Sequence, residues 1–285
     1  MEEDISAFLD YLASEKGYSE NTLAAYSNDL NQLAAFIEAQ GDSGGSSSAW
    51  SRLDNELLTE YLFNLRERKY KLTTLARKIA AIKSFLKFMF NSGRLKDGPT
   101  RSLASPRFSK SLPMTLSVSE VHRLLAEPAK LSTPEAARDK VMLELIYTSG
   151  LRVSELVALN LEDVNLKRGC VYCFKHGSGS RVIPIDSQMV QTIKEYENTA
   201  RYELLRREEE SALFLNRRGG RLTRQGFWQI VKNYASEAGF GDRVSPHTLR
   251  HSFAAHKLRG GSRLESVQKL LGHAYISSTR IYKQV

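Results

Sequence analysis

The chain has 285 residues, a hydrophobic content of 41% and a formal net charge of +9. This length suffices for two domains that each bury a core, and the hydrophobic content is typical of a globular protein. Because there is no run of eighteen apolar residues and the first twenty residues are acidic, we expect neither a membrane span nor a signal peptide. We therefore predict a cytoplasmic protein without a membrane partner.

Charge is segregated in the first part of the chain. Residues 1–63 hold 2 basic and 12 acidic residues, whereas residues 64–107 hold 12 basic and 2 acidic ones. The basic segment has apolar residues at helical spacing, namely Leu75, Ile79, Ile82, Phe85, Leu86 and Met89. The basic residues that lie largely outside this stripe are Arg77, Lys78, Lys83 and Lys87. A solvated helix face has the same pattern, but the segregation favours a face that contacts nucleic-acid phosphates.

Segments rich in glycine, serine or proline divide the chain into predicted domains. The Gly/Ser-rich segment 41–48 predicts a flexible loop between helical stretches, and the Pro-rich stretch near residues 97–117 predicts an extended linker. Ser117 and Glu120 have the spacing of a capping box, which predicts that a helix begins there. The predicted organisation is a helical domain at 1–97, a linker at 98–116 and a second domain at 117–285.

The sequence of the second domain predicts helices up to about residue 160 and again from Gln188. Between these parts, alternating apolar residues on either side of a Gly/Ser turn predict a β-hairpin over Cys170–Ile185. A basic turn precedes a further helix, and we predict that it contacts phosphates through Arg217, Arg218 and Arg221. The pattern as a whole predicts a mainly α protein of two domains with one small sheet.

Five residues carry the chemistry, and they are Arg152, His247, Arg250, His273 and Tyr282. An arginine fork matches two phosphate oxygens at once, so the two guanidinium groups are suited to hold a phosphodiester. Alone, each residue has an ordinary structural interpretation, such as a surface helix residue, a cap or a packed aromatic ring. The combination is much more specific, since His247 and Arg250 are three apart and share a face on a helix.

The phenol of Tyr282 is the candidate nucleophile. It titrates near pH 10, so at neutral pH it needs neighbouring cations or a base, for which His247 or His273 is suited. A phosphotyrosyl ester retains the energy of the broken bond, so a second hydroxyl can rejoin the strand without ATP. Positioned cations stabilise the charge on the phosphoryl oxygens, and we therefore expect no metal and no other cofactor.

Three segments resemble the tyrosine recombinases of the phage integrase family, most closely the Xer-type members. They are TSGLRVSELVALNLEDV at 148–164, SPHTLRHSFAAHKL at 245–258 and LLGHAYISSTRIYKQV at 270–285. The front of the chain is similar to the family's SAM-like core-binding domain. The resemblance implies a helical core-binding domain and a mostly helical catalytic domain with a small antiparallel sheet, the fold of DNA breaking and rejoining enzymes.

The resemblance also implies roles for single residues. Arg152 and Arg250 would bind the phosphate, His247 and His273 would lie beside it, Tyr282 would attack, and Glu155 would support the first arginine. In the family the hairpin usually carries a lysine that protonates the leaving oxygen. Counting from Pro184 reaches His176, with Lys175 as its neighbour, so both residues stay candidates for the general acid.

The implied function is site-specific recombination of double-stranded DNA through a 3′-phosphotyrosyl intermediate, with a tetramer acting on two sites and a role in chromosome or plasmid dimer resolution. Family relatives continue into a further helix that docks on a neighbouring protomer, whereas three residues follow Tyr282 here. The alternatives are integration or excision of a mobile element, type IB topoisomerase activity, and a non-catalytic DNA-binding protein. A thiol or zinc protein built on Cys170 and Cys173 is a more distant alternative.

Overall fold

A computed structural model describes residues 1–40, 50, 53–68, 70–95, 112–173 and 180–285. The chain forms two compact units, residues 1–110 and 111–285, and each has its own hydrophobic core. The predicted loop at 41–48, most of the predicted linker and the hairpin tip with Lys175 and His176 lie outside the described residues. Among the described helices, none has the length and apolar character needed to span a membrane.

The first unit is helical. Its helices are α1 (Glu2–Ser14), α2 (Glu20–Ala39), α3 (Asn55–Glu67) and α4 (Leu72–Asn91). Helix α2 begins at Ser19, whose side chain accepts a hydrogen bond from the Thr22 backbone N–H. The apolar stripe predicted from the sequence of α4 is buried, and Phe85 packs edge-on against Phe8. Helices α1, α2 and α4 therefore share one core.

An acidic residue lies inside this core and changes one prediction. Asp29 of α2 is buried and forms ion pairs with Arg77 and Lys78 of α4. The Lys78 side chain is also buried, and its ammonium group donates to Asp29 at 2.9 Å and to Gln32 at 2.7 Å. The assignment of Lys78 to a phosphate-contacting surface is wrong for this structure, because its charge neutralises a buried carboxylate. Arg77 keeps a partly exposed guanidinium group.

The second unit is built around a buried helix. Its helices are α5 (Val118–Ala126), α6 (Pro134–Ser149), α7 (Val153–Ala158), α8 (Ser187–Asn198), α9 (Ala200–Leu204), α10 (Arg224–Glu237), α11 (Pro246–Arg259), α12 (Leu264–Leu271) and α13 (Ser277–Arg280). Apolar residues cover several sides of α6, as expected for a helix surrounded by others. The predicted capping box is confirmed, because Ser117 and Glu120 cap α5 reciprocally.

The predicted hairpin is confirmed as part of a small antiparallel sheet. Within the described residues its strands are β1 (Val164–Asn165), β2 (Cys170–Cys173) and β3 (Arg181–Pro184), in the order β1-β2-β3. The register pairs Cys170 with Pro184 and Cys173 with Arg181. Arg181 therefore begins the second strand of the hairpin directly across from Cys173. The mainly α fold with one small sheet is as predicted.

Helix α11 carries much of the candidate site and is held from several directions. Ser245 caps its start, and Pro246 occupies the first turn, where a missing N–H has no cost. The Ser252 hydroxyl accepts the backbone N–H of Leu116, so α11 also anchors the segment that leads into α5. Helix α6 and the turn Ile281–Gln284 pack against α11, which brings the end of the chain next to its first turns.

Candidate active site

Arg250 lies at the centre of the candidate site. Its side chain is 5% exposed, and its guanidinium group donates to the Gly150 carbonyl and, at 2.7 Å, to the Leu271 carbonyl. A third contact joins Nη2 to Nε2 of His273 at 3.3 Å. Burial, and then the positive charge of Arg152, lower the pKa of Arg250 to about 10, which leaves it charged at neutral pH. The two carbonyls fix the plane of the fork.

Gly150 is needed at its position for two reasons. It ends α6 in the left-handed conformation with φ of 62°, which glycine adopts without strain. A β-carbon there would lie 2.4 Å from the ring of Phe253. The close approach of α6 and α11 that lets Arg250 reach the Gly150 carbonyl therefore depends on the absence of a side chain.

Arg152 is held beside Arg250 by neighbouring carbonyls. It precedes α7, and its Nη2 donates to the Gly272 carbonyl at 2.7 Å while Nη1 donates to Glu155 at 2.9 Å. Since Arg250 binds the carbonyl of Leu271 and Arg152 that of Gly272, the end of α12 brings both forks together. About a third of the Arg152 side chain stays exposed, at 31%.

Glu155 and Arg181 orient Arg152. Arg181 donates to both carboxylate oxygens of Glu155 at 2.7 Å and to the Leu270 carbonyl at 2.9 Å. Glu155 also accepts the backbone N–H of Arg152 at 2.7 Å. Burial opposes ionisation of Glu155, but the hydrogen bonds and charges of the two arginines lower its pKa to about 2. This network ties β3, α7 and the end of α12 together.

The Glu155 network predicts a defined dependence of stability on pH. Because its folded pKa of about 2 lies below the usual value of 4.5, its contribution is complete above about pH 5. That contribution is lost as the pH falls from about 4.5 to about 2, and its full size is about 3 kcal/mol. In Arg181→Gln the folded pKa returns toward the usual value. We expect urea unfolding to show the largest loss for this variant above pH 5 and a shrinking loss at lower pH.

A matched control for Arg181→Gln is Arg217→Gln. Arg217 pairs with Glu135 at 2.9 Å, but its side chain is 84% exposed. Exposed pairs contribute about 0–1 kcal/mol, so this variant should unfold almost as wild type at every pH. A loss for Arg181→Gln that stays constant from pH 6 to about pH 2.5 contradicts the assignment of the effect to Glu155 ionisation.

His273 follows Gly272, which ends α12 in the left-handed conformation. Its Nδ1 lies 2.9 Å from the Thr279 hydroxyl, and its Nε2 faces Arg250. Burial, and then the charges of Arg250 and Arg152, lower the pKa of His273 to about 4, so its ring is neutral at pH 7. A β-carbon on Gly272 would lie 2.9 Å from Nη1 of Arg181, so glycine keeps this corner open to the guanidinium groups.

Tyr282 is buried next to His251 of α11 and next to His273, which follows α12. It is 4% exposed and packs with Phe253, Val267 and Leu271. Its hydroxyl lies 2.7 Å from Nδ1 of His251, and its ring stacks on His273 with centroids 6.4 Å apart. Burial raises the pKa of Tyr282, and the charge of Arg250 opposes that rise. The Tyr282 hydroxyl therefore lies within hydrogen-bond distance of a histidine, and the net effect of its surroundings is a raised pKa.

Two side chains that contact the candidate site are not predicted by the sequence pattern. His251 contacts the Tyr282 hydroxyl, and Arg181 holds Glu155. His251 lies four residues after His247, and their rings stack with centroids 6.4 Å apart, so helical spacing alone could have placed it on the same face. Nothing in the local sequence of β3 distinguishes Arg181 from a surface strand residue. His247 itself lies exposed at the start of α11.

The three arginines of the basic turn before α10 differ in exposure and in hydrogen-bond partners. Arg221 donates to the carbonyls of Val157 and Leu159, both at 3.0 Å, and so holds α7 to the turn. Arg217 is exposed and paired with Glu135, and Arg218 is exposed. Arg217 and Arg218 therefore present positive charge at the surface. The guanidinium group of Arg221 instead forms hydrogen bonds that hold α7 to the turn.

The two cysteines are buried free thiols. Cys173 belongs to the main core of the second unit, and burial raises its pKa to about 11. A thiol that stays protonated at neutral pH is a poor nucleophile and a poor metal ligand. The structure thus supports a packing role for Cys173 and gives no support to the alternative built on thiol chemistry.

Two family models match the chain. The model described as "Phage integrase family" matches residues 114–285, and the model described as "Phage integrase, N-terminal SAM-like domain" matches residues 5–93. These ranges correspond to the two units of the structure.

Relatives match over nearly the full length. Tyrosine recombinase XerC of Roseiflexus castenholzii is 46% identical over 284 residues, which are 99% of this chain and 88% of the relative. Tyrosine recombinase XerD of Oceanobacillus iheyensis is 38% identical over 286 residues, which are 100% of this chain and 94% of the relative. The chain therefore belongs to the phage integrase family. Within that family it is a Xer-type tyrosine recombinase, an enzyme of site-specific recombination.

Solved structures share the fold. XerH site-specific recombinase bound to palindromic difH substrate, in a post-cleavage complex, has a TM-score of 0.75 at 22% identity, covering 99% of this chain and 91% of that one. A lambda integrase dimer bound to a COC′ core site has a TM-score of 0.75 at 17% identity, covering 99% and 95%. The predicted fold class and family resemblance are confirmed.

Proposed function

We propose that the enzyme cuts and rejoins duplex DNA at a specific site through a 3′-phosphotyrosyl intermediate on Tyr282. The observation that carries this proposal is the convergence of Arg152, Arg250 and His273 on the end of α12, with Tyr282 stacked on His273. Paired guanidinium groups and a phenol at one place are suited to phosphodiester chemistry.

The arginines are assigned to the non-bridging phosphate oxygens. Each guanidinium group has five N–H donors. Arg250 uses three of them on two carbonyls and His273, and Arg152 uses two on a carbonyl and Glu155. The remaining donors, held in fixed planes, stabilise the charge that develops on the phosphoryl oxygens. His247, exposed at the start of the same helix, and His273 are assigned to flanking positions beside the phosphate.

Tyr282 supplies the covalent step. The phenolic oxygen forms a bond to phosphorus while the bond from phosphorus to the 5′-oxygen breaks, and the ester conserves the energy for rejoining. This assignment requires neither ATP nor a metal, since the guanidinium groups provide the positive charge. Trapping on a nicked suicide duplex, with peptide mapping of the adduct, tests the assignment. An adduct on any peptide other than the one containing Tyr282 contradicts it.

The leaving 5′-oxygen needs a proton, and we assign the donor to the hairpin tip as Lys175 or His176. The described ends of the hairpin support this assignment, because Arg181 begins β3 and lies within the Glu155 network. We expect one of the variants Lys175→Ala and His176→Ala to cleave an ordinary duplex about 10²–10⁴-fold more slowly.

A substrate with sulfur at the 5′-bridging position shows whether the replaced side chain is the general acid. A thiolate leaves without protonation, so cleavage of this substrate does not need that acid. That substrate should restore cleavage by the variant that lost the acid, and the other variant should cleave both substrates as wild type does. Wild-type rates for both variants on the oxygen substrate contradict the hairpin assignment.

We propose that the partner is double-stranded DNA carrying a recombination site, and that a tetramer acts on two sites. The XerH recombinase was solved bound to a palindromic difH substrate, and the lambda integrase dimer was solved bound to a COC′ core site. The cationic residues proposed to contact phosphates are Arg77, Lys83, Lys87, Arg217, Arg218 and Arg221, of which Lys87, Arg217 and Arg218 are exposed. Lys78 is left out because it neutralises Asp29.

The proposed task is resolution of chromosome or plasmid dimers, which the resemblance to Xer-type enzymes supports. Such DNA lies in the bacterial cytoplasm, and we assign the enzyme to that compartment. The domain limits at 1–97, 98–116 and 117–285 are also proposed, supported by the division into units 1–110 and 111–285.

A further inference from the structure

His251 touches the reacting atom of the proposed nucleophile. Its Nδ1 lies 2.7 Å from the Tyr282 hydroxyl, and the two rings have centroids 5.5 Å apart. We propose that His251 is a catalytic residue that takes the phenolic proton as the Tyr282 oxygen attacks phosphorus. This inference rests on the proposed role of Tyr282 as nucleophile.

The other two histidines are engaged elsewhere. His273 has Nδ1 bonded to Thr279 and Nε2 facing Arg250, so both ring nitrogens have partners while its ring stacks on Tyr282. His247 stacks on His251, one helical turn away. Among the described residues, His251 is the one whose ring nitrogen lies within hydrogen-bond distance of the phenolic oxygen. Geometry therefore favours it over His247 and His273, the bases considered from the sequence.

The charge state of His251 suits a proton acceptor. Burial, and then the neighbouring His247 and Arg250, lower its pKa to about 4, so the ring is neutral at pH 7. A neutral imidazole with its proton on Nε2 has a free lone pair on Nδ1 to receive the phenolic proton. His251 lies on α11 next to the buried Arg250, and its Nδ1 is the ring nitrogen that faces the Tyr282 hydroxyl.

The proton balance is complete in both directions. During cleavage, the bond from the phenolic oxygen to phosphorus forms, its proton passes to Nδ1, and the 5′-oxygen leaves with a proton from the hairpin acid. The phenolic oxygen becomes far more acidic as it bonds to phosphorus, which makes transfer to a weak base favourable in the transition state. During rejoining, the 5′-oxygen bonds to phosphorus and passes its proton back to the deprotonated hairpin group. The bond from phosphorus to the phenolic oxygen breaks, and protonated His251 returns a proton to that oxygen.

A holding role makes the opposite prediction. If the bond to His251 merely retained Tyr282 in its buried position, removal of the imidazole would release the nucleophile and speed cleavage. If His251 is the proton acceptor, its removal slows cleavage while DNA binding persists. The sign of the rate change therefore separates the two interpretations.

The experiment measures single-turnover cleavage of a nicked suicide duplex at saturating enzyme, with DNA affinity measured separately. His251→Ala removes the ring, whereas His251→Asn keeps a hydrogen-bonding group near the position of Nδ1 without a proton acceptor of imidazole basicity. We expect both variants to cleave about 10²–10⁴-fold more slowly, with DNA dissociation constants within about twofold of wild type. The 5′-bridging sulfur substrate should not restore the rate, since the lost group does not act on the leaving oxygen.

The same helix offers a matched control. His256 of α11 has Nδ1 3.0 Å from the hydroxyl of Tyr147, so it forms the same kind of pair with a tyrosine outside the proposed chemistry. We expect His256→Asn to cleave within about twofold of wild type, because no reacting atom is involved.

Three outcomes overturn the inference. They are a wild-type or faster rate for His251→Ala, a wild-type rate for His251→Asn, and restoration of either variant by the sulfur substrate. Failure of the proposed function looks different, because Tyr282→Phe would then still form a covalent adduct. An inactive Tyr282→Phe together with a fully active His251→Ala removes the role of His251 alone.

Discussion

Replacing Tyr282 with phenylalanine should abolish formation of the covalent protein–DNA adduct. The variant keeps the ring that packs on Phe253 and Leu271 but lacks the atom that bonds to phosphorus. We expect a loss of about 10⁶-fold or more in cleavage, the scale seen when a covalent nucleophile is removed. Adduct formation on a nicked suicide duplex, resolved on a denaturing gel, measures this loss.

Binding and folding should largely persist in Tyr282→Phe. The lost hydroxyl leaves Nδ1 of His251 without its partner, which costs about 1–3 kcal/mol of unfolding free energy. A suitable control is Tyr275→Phe, because Tyr275 is exposed and lies seven residues before Tyr282. Its adduct yield should equal that of wild type. An adduct formed by Tyr282→Phe at a wild-type rate would remove this tyrosine from the mechanism.

Arg250→Lys should lose cleavage by about 10²–10³-fold, the cost of removing an aligned donor from a developing oxyanion. Lysine keeps the charge but cannot reach the Gly150 and Leu271 carbonyls and a phosphate oxygen with one planar fork. The same substitution also frees His273 from its arginine contact. Single-turnover cleavage and DNA affinity, measured together, separate a loss of chemistry from a loss of binding.

The matched control is Arg259→Lys, an identical substitution at an exposed position of the same helix. It should cleave as wild type, since surface substitutions usually change stability by less than about 0.5 kcal/mol. If Arg250→Lys cleaves at the rate of Arg259→Lys, the fork geometry is not used in catalysis. Unfolding measured by urea then shows whether Arg250 serves the fold alone.

Local signals in the sequence predicted the elements well. Ser117 and Glu120 cap α5, β2 pairs with β3 in antiparallel orientation, and His247 and Arg250 lie together on α11, as their spacing indicated. These features depend on interactions within a few residues, and periodicity and capping report such interactions directly.

Long-range charge pairing was not predictable in the same way. The sequence pattern places Lys78 on a phosphate-contacting face, but the residue is buried against Asp29, which lies 49 positions earlier in the chain. The sequence pattern gives no sign that Arg181 is important, yet Arg181 holds Glu155 through two hydrogen bonds across 26 positions. Which cation neutralises which carboxylate depends on how helices and strands pack, and neither partner reveals this locally.

The sequence by itself determined the chemical inventory, because Arg152, Arg250, His273 and Tyr282 are recognisable from residue type and spacing. Only the tertiary structure decided how that inventory is arranged. The end of α12 offers adjacent carbonyls that align the two guanidinium groups, and the packing of Ile281–Gln284 on α11 sets the Tyr282 hydroxyl against His251. A hydrogen bond is directional and acts over about 3 Å, so its partner depends on the folded positions of distant segments rather than on local sequence.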